Sequence, residues 1–442
     1  MAADLNHVDL IIHAKWIIPV IPKQKVFTGC AVIIHQGDIV TIKPSTDVDK
    51  RYQANETYHL DEHVLMPGLI NAHGHAAMSL LRGYADDLPL DTWLNEHIWP
   101  AEAKHVSETF VKQGTELALA EMIRTGTTCF SDMYFFPEQT ATAAHQAGMR
   151  CQIAFPILEF PSAWANDADE YISKGLALRD AYRSHEAINV IFGPHAPYTV
   201  SNDTFSRIAT LAPEIQSGIH VHLHETQGEV DNAINESGKR PIERLYELGV
   251  LTPATQCVHM TALTADDIQR LQQSGAHVIH CPESNLKLAS GFCPVDELMK
   301  AGINVALGTD GAASNNNLDM FGEMHTAALL GKAVAQDASA LSASDAIAMA
   351  TINGAKAMGI DHRTGSLEPE KAADMIAIRL DTLEQAPLHD IASMIVYTHN
   401  GHRVSHSWVN GKALLNDGQL TTLNERTIAE NARQWQQTLK QD

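Results

Sequence analysis

The chain has 442 residues, 45% of them hydrophobic and 19% charged, the balance of a globular protein with one large domain and a smaller one. A formal net charge of -22 excludes the basic footprint that a nucleic acid or an anionic membrane surface demands of a partner. The 6 cysteines form no Cys-x-x-Cys pair, residues 1–7 lack the basic and apolar parts of a signal peptide, and no apolar run nears the ~20 residues of a membrane span, so a cytoplasmic protein with reduced thiols is expected.

The chain opens with β-rich pieces at residues 8–13, 16–19, 30–35 and 38–43, with turns at Gly29 and Gln36-Gly37. Residues 373–380, 391–397 and 406–409 read alike, and Asn410-Gly411 is a hairpin turn before 412–415. Two β-rich ends around a long middle predict a small β-sandwich domain from residues 1–63 and 366–420, with a C-terminal helix over 421–442.

The middle, residues 64–365, alternates. An apolar run over 64–70 reads as a buried parallel strand. Further strands are expected at 127–133, 150–157, 188–194, 218–224, 255–260, 276–281 and 303–308. Helical windows separate them, among them 107–125, 136–148, 202–211, 241–248, 264–274 and 295–300. Eight β-α repeats are the pattern of a parallel (β/α)8 TIM barrel, whose chemistry sits at the C-terminal strand ends.

Those ends carry the informative residues. The first leads to His73-Gly74-His75, two imidazoles two residues apart and so pointing the same way. With 24 histidines in the chain, such a pair proves little alone. The fourth strand ends in Pro194-His195, the sixth in Val258-His259 and the eighth in Thr309-Asp310. The fifth offers His220, His222 and His224, all of one parity; the last inward position favours His222 or His224. His and Asp converging on one barrel mouth point to metal-assisted hydrolysis, with His73, His75, a strand-five histidine and Asp310 around one ion. Gly308 and Gly311 read as backbone accommodation around Asp310. Glu225 lies beside this set without being needed as a ligand.

Several stretches together resemble the amidohydrolase superfamily, in its branch of nucleobase, nucleoside and triazine aminohydrolases. They are Pro67-Gly68-Leu69-Ile70-Asn71-Ala72-His73-Gly74-His75, His222-Leu223-His224-Glu225-Thr226, His280-Cys281-Pro282-Glu283-Ser284-Asn285, Leu307-Gly308-Thr309-Asp310-Gly311-Ala312-Ala313-Ser314-Asn315-Asn316, Gly365-Ser366-Leu367-Glu368 and Lys371-Ala372-Ala373-Asp374. Within the branch the chain is most similar to the 5′-methylthioadenosine/S-adenosylhomocysteine deaminases. The resemblance maps the family's His-x-x-Glu motif onto His222 and Glu225. It implies metal ligands His73, His75, His222 and Asp310. It also implies catalytic roles for Glu225, His259 and Asp310, and substrate contacts from Glu102, His195 and Glu225.

Binuclear relatives carry a bridging lysine after strand four. This chain has His195 there, which implies one divalent ion per subunit, zinc first. The implied reaction is hydrolytic deamination at C6 of an adenosine derivative. The partner expected is then a small nucleoside, with no nucleic acid or membrane; a homo-oligomer stays open. Other readings are a guanine, 8-oxoguanine or triazine hydrolase of the same branch, for which a ribose-binding Glu102 has no use, and a non-catalytic binding protein on this fold. His280 is as readily a loop support as a substrate contact. Residues 151–164 contain no Arg or Lys, and Glu159 repels a carboxylate. Phe155, Phe160 and Trp164 suit an apolar 5′ substituent, so 5′-methylthioadenosine is expected over S-adenosylhomocysteine unless Arg179 or Arg183 reaches the pocket.

Overall fold

The computed structural model describes residues 5–398 and 400–440. Residues 1–4 and 441–442, the outer ends of the expected β domain and C-terminal helix, lie outside the described residues. Eight parallel strands form one sheet in sequence order: Leu69–Asn71, Thr127–Asp132, Arg150–Ile157, Ile188–Pro194, Ile219–Leu223, Thr255–His259, His277–His280 and Val305–Leu307. The first and last strands meet, with Ala72 N–H donating to the Leu307 carbonyl at 2.9 Å and Asp310 N–H to the His73 carbonyl at 3.0 Å. The sheet therefore closes into the expected barrel, and closure sets the loop after strand one beside the loop after strand eight.

Helices connect the strands, and their starts are written in the sequence. Ser107, Asp167, Ser201, Thr226 and Thr264 each accept the N–H of the residue three further on, opening helices Glu108–Arg124, Ala168–Tyr182, Asn202–Glu214, Gln227–Ser237 and Ala265–Ser274. Strand side chains alternate. Phe130, Ile153, Phe155, Val190, Val221, Cys257, Val278 and Val305 face the helices in the main core. Ile70, Cys129, Val258, Ile279 and Ala306 pack together in the barrel interior.

The second sheet draws on both ends of the chain. Its order is Gln419–Leu420, Lys412–Asn416, Val404–Val409, Met375–Arg379, Tyr52–Pro67, Asn6–Ile17, Phe27–His35 and Asp38–Pro44. At the barrel end opposite the site, buried Arg150 donates from Nε to Asp374 Oδ2 at 2.9 Å, and Asn410 N–H donates to Asp374 Oδ1 at 2.8 Å. Removing one partner of such a buried pair costs about 3–5 kcal/mol, so this clamp fixes the sheet to the barrel.

Two expectations are corrected. The apolar run over 64–70 is not one strand. It splits at Gly68: Tyr52–Pro67 belongs to the second sheet and Leu69–Asn71 to the barrel. A Cβ at Gly68 would lie 2.0 Å from the Thr128 hydroxyl oxygen, so only glycine lets the chain change sheets there. Residues 391–397, expected as β, form helix Ile391–Tyr397, whose N-cap Asp390 accepts the Ser393 N–H. The cap and packing override the β preference of Ile, Val and Tyr.

Helix Glu425–Leu439 lies on Glu108–Arg124, with Trp435 edge-on to Phe110 and its Nε1–H donating to Gln113 Oε1 at 2.7 Å. All six cysteines are buried and unpaired. No helix among the described residues is long and apolar enough to cross a membrane.

Candidate metal centre and active site

Barrel closure brings four donors together. His73 Nε2 and His75 Nε2 each lie 3.3 Å from Asp310 Oδ1, and His73 Nε2 is 3.2 Å from His222 Nε2. The opposite ring nitrogens are engaged: His75 Nδ1 with the Met133 carbonyl at 2.6 Å, His222 Nδ1 with the His195 carbonyl at 2.8 Å. A carbonyl only accepts, so in both rings Nδ1 carries a hydrogen, and Nε2 is the nitrogen that would face an ion. Three imidazole nitrogens and one carboxylate oxygen converging at strand ends fit a catalytic divalent ion of the zinc type.

Asp310 is shaped for two tasks. Its Oδ2 accepts hydroxyl hydrogens from Ser284 at 2.7 Å and Ser314 at 3.0 Å, and its Oδ1 faces the histidines. Burial opposes its charge, but His73 and His75 hold the carboxyl well below the usual range. Its backbone is left-handed, φ 62°, a strained setting for a non-glycine residue. A Cβ on Gly308 would come within 2.7 Å of the His73 backbone nitrogen, so that glycine serves the close approach of the two loops.

Strand five's three histidines part company. His222 points to the ligand cluster. His224 sits at φ 52°, which turns its buried ring away toward the Ala262 carbonyl and the Ile242 N–H. His220 lies one layer deeper, its Nε2 2.8 Å from His73 Nδ1.

Beside the ligands, Glu225 lines a cavity of about 290 Å³, its Oε2 3.8 Å from His259 Nε2. Thr226 caps the helix that begins just after Glu225. His259 engages Asn285 Oδ1 through Nδ1 at 2.9 Å. Its Nε2 falls within 4.8 Å of the His73 and His222 donors, so it borders the same point in space. His195 and Glu102 line the cavity too. Burial, with His75 and His259 nearby, pushes the His195 imidazole down to about 4, so it is neutral at pH 7. Burial lifts the Glu102 carboxyl to about 7, against the Tyr134 hydroxyl that donates to it at 2.5 Å.

The four proposed ligands, Glu225, His259, Glu102 and His195 thus meet at one mouth. Sequence reasoning missed Tyr134, Ser284 and Ser314. Ser284 lay inside the quoted strand-seven motif, but nothing in its spacing gave its hydroxyl a target. His280 is buried on strand seven and does not line the cavity. Phe155 and Trp164 also stay out of the cavity, contrary to expectation. Phe155 occupies an outward strand position over Gly175, and Trp164 packs on Tyr171. Arg179 and Arg183 line a separate cavity with Arg150 and Ile188, at the other end of the strands.

With that geometry in place, comparison with known proteins gives the class. A family model described as the amidohydrolase family matches residues 64–414, and the chain belongs to that family. It is 57% identical over 432 residues to a 5-methylthioadenosine/S-adenosylhomocysteine deaminase of Teredinibacter turnerae, covering 98% of each chain. It is 43% identical over 369 residues to a 5′-deoxyadenosine deaminase of Methanothermobacter thermautotrophicus, covering 84% of this chain and 86% of that one. Among solved structures, an adenosine deaminase from Xanthomonas campestris with bound zinc superposes with a TM-score of 0.98 at 44% identity, over 99% of this chain and 100% of that one. A triazine hydrolase of Arthrobacter aurescens superposes at 0.90 with 22% identity, a likeness of fold.

Proposed function

We propose that this protein is a metal-dependent aminohydrolase that replaces the 6-amino group of a 5′-modified adenosine by oxygen and releases ammonia. The observation that carries the reading is the convergence of His73, His75, His222 and Asp310 beside the Glu225–His259 pair in one cavity. Deaminase relatives matched over 98% and 84% of this chain support it. When bound by the four donors, a divalent ion, zinc first, supplies acidification of a water molecule at that point.

The chain's own groups do the rest. Glu225 donates a proton to purine N1, drawing electrons from C6. Asp310 accepts a proton from the attacking water. His259 orients the incoming oxygen. The proton held by Asp310 passes to the amino group, which leaves as ammonia, and the remaining hydroxyl hydrogen goes to Glu225 as C6 becomes a carbonyl. Glu102 accepts the ribose hydroxyls and neutral His195 borders the purine. Ammonia release across a panel of nucleosides and bases, with elemental analysis for one metal per chain, tests the reading. Turnover of guanine or a triazine but of no nucleoside would sink it.

The Glu102 carboxyl gives a pH prediction. Ribose hydroxyls donate to both of its oxygens only when it is ionised. Below about 7 its protonated form grows, so kcat/KM should fall about tenfold per pH unit through KM while kcat changes little. Glu102→Gln should flatten that acid limb. An unchanged limb in the variant would assign the titration elsewhere.

The 5′ substituent meets an apolar wall of Leu90, Trp93, Ile98, Leu158, Phe160 and Ala163, and no Lys or Arg among the described residues lines this cavity. An adjoining chamber has Lys239 and Arg244, but Lys239 pairs with Glu247, and Arg244 holds the Pro197 and Val200 carbonyls at 2.7 and 2.9 Å. A homocysteine carboxylate would lack a partner, costing at least about 1–3 kcal/mol. 5′-Methylthioadenosine is therefore expected to exceed S-adenosylhomocysteine in kcat/KM by roughly tenfold or more. A competition assay favouring S-adenosylhomocysteine would contradict this.

A further inference from the structure

Below the ligand cluster the barrel interior turns polar. His220 of strand five, Gln256 of strand six and Gln152 of strand three are all inward-facing and buried. His220 Nδ1 meets Gln256 Oε1 at 2.7 Å, and its Nε2 meets His73 Nδ1 at 2.8 Å. We propose that His220 is a positioning residue for the metal centre: a hydrogen-bonded chain anchored on the Ala357 carbonyl fixes the tautomer of His73 and thereby its strength as a ligand. This rests on the metal-dependent reading above.

The direction of every hydrogen in the chain follows from its anchor. The Ala357 carbonyl only accepts, and it lies 2.9 Å from Gln256 Nε2, so the amide nitrogen of Gln256 must face it. The same nitrogen donates to Gln152 Oε1 at 3.2 Å, and Gln256 Oε1 accepts from Gln152 Nε2 at 2.9 Å. Turning the Gln256 amide over would set oxygen against the Ala357 carbonyl. Gln256 therefore presents oxygen to His220, and His220 Nδ1 must carry the hydrogen. Its Nε2 is then a lone pair that can only accept, so His73 Nδ1 carries the hydrogen and His73 Nε2 is left with the lone pair that faces Asp310. His75 and His222 likewise hold a hydrogen at Nδ1 against single backbone carbonyls. His73, the most enclosed of the three, has no carbonyl partner at Nδ1, and the side-chain chain takes its place.

The test begins with the wild-type protein. Zinc affinity is measured by competition with a chromophoric chelator, and nitrogen-15 histidine spectra of the zinc-loaded protein separate protonated from bare ring nitrogens. The His220 signals, assigned by their loss in His220→Gln, should show Nδ1 protonated and Nε2 bare. His220→Phe keeps the bulk and removes the acceptor. Its zinc Kd should rise roughly 10–100-fold, the usual effect of losing a ligand's outer partner. His220→Gln restores an acceptor and should recover most of the affinity. A folded His220→Phe with wild-type affinity, a Gln variant as weak as the Phe variant, or a protonated Nε2 at His220 would each overturn the proposal. Should the Phe variant not fold, the wild-type spectrum and the Gln variant decide. Wild-type protein that takes up no zinc would overturn the metal reading itself, an outcome seen before any variant is made.

Discussion

His75→Ala should abolish turnover and leave the barrel folded. Among the proposed ligands it is the cleanest to remove. Its ring is partly exposed, and its loss frees the Met133 carbonyl, whereas His73→Ala would strand the buried His220 nitrogen and Asp310→Ala would take the acceptor from the buried Gly311 N–H. With one of four donors gone, the ion should be weakly held. Losing the stabilisation it supplies, about 4 kcal/mol or more, lowers the rate by roughly 10³-fold or beyond. Metal content, thermal melting and ammonia release on one preparation give the answer. Full occupancy with normal turnover would remove His75 from the ligand set.

Glu225→Gln separates proton transfer from metal binding. Gln keeps the size and hydrogen-bonding edge of Glu but delivers no proton to N1, and general acid-base catalysis is worth about 10²–10⁴-fold. The variant should keep its metal and a KM near wild type while kcat falls by that factor. His259→Asn should also slow the reaction without releasing metal, since Nε2 of His259 faces Glu225 and its Nδ1 is tied to Asn285. Wild-type kcat in Glu225→Gln would mean that another group protonates the ring.

The barrel was legible because its strands are short apolar runs between capped helices, and because position at a strand end tells which side chains share the mouth. His73, His75 and Asp310 needed only that rule. What stayed hidden depended on the third dimension. A uniformly apolar run carries no mark of the change of sheet at Gly68. Parity left His222 and His224 equivalent, and only the resemblance chose His222; the physical reason, a left-handed backbone that turns His224 away, is in the structure. Phe155 and Phe160 differ by no compositional signal, yet one faces a helix and the other the cavity. Hydroxyls such as those of Ser284 and Ser314 acquire a role only when a distant carboxylate arrives.

The two-ended sheet has a consequence for how the molecule is born. Met375 pairs with Pro67 across most of the chain, with the entire barrel lying between them. At a translation rate of about 5–20 residues per second, strand Tyr52–Pro67 waits on the order of 15–60 s for its C-terminal neighbour. During that interval one edge is open to pairing with other chains. Nascent chains halted before residue 375 should therefore be protease-sensitive near residues 52–67 and prone to self-association, while chains carrying the last strands should be resistant. Protection there at the shorter length would show that the barrel alone shields the edge. High contact order at this seam makes the last strands of the chain the step that completes the fold.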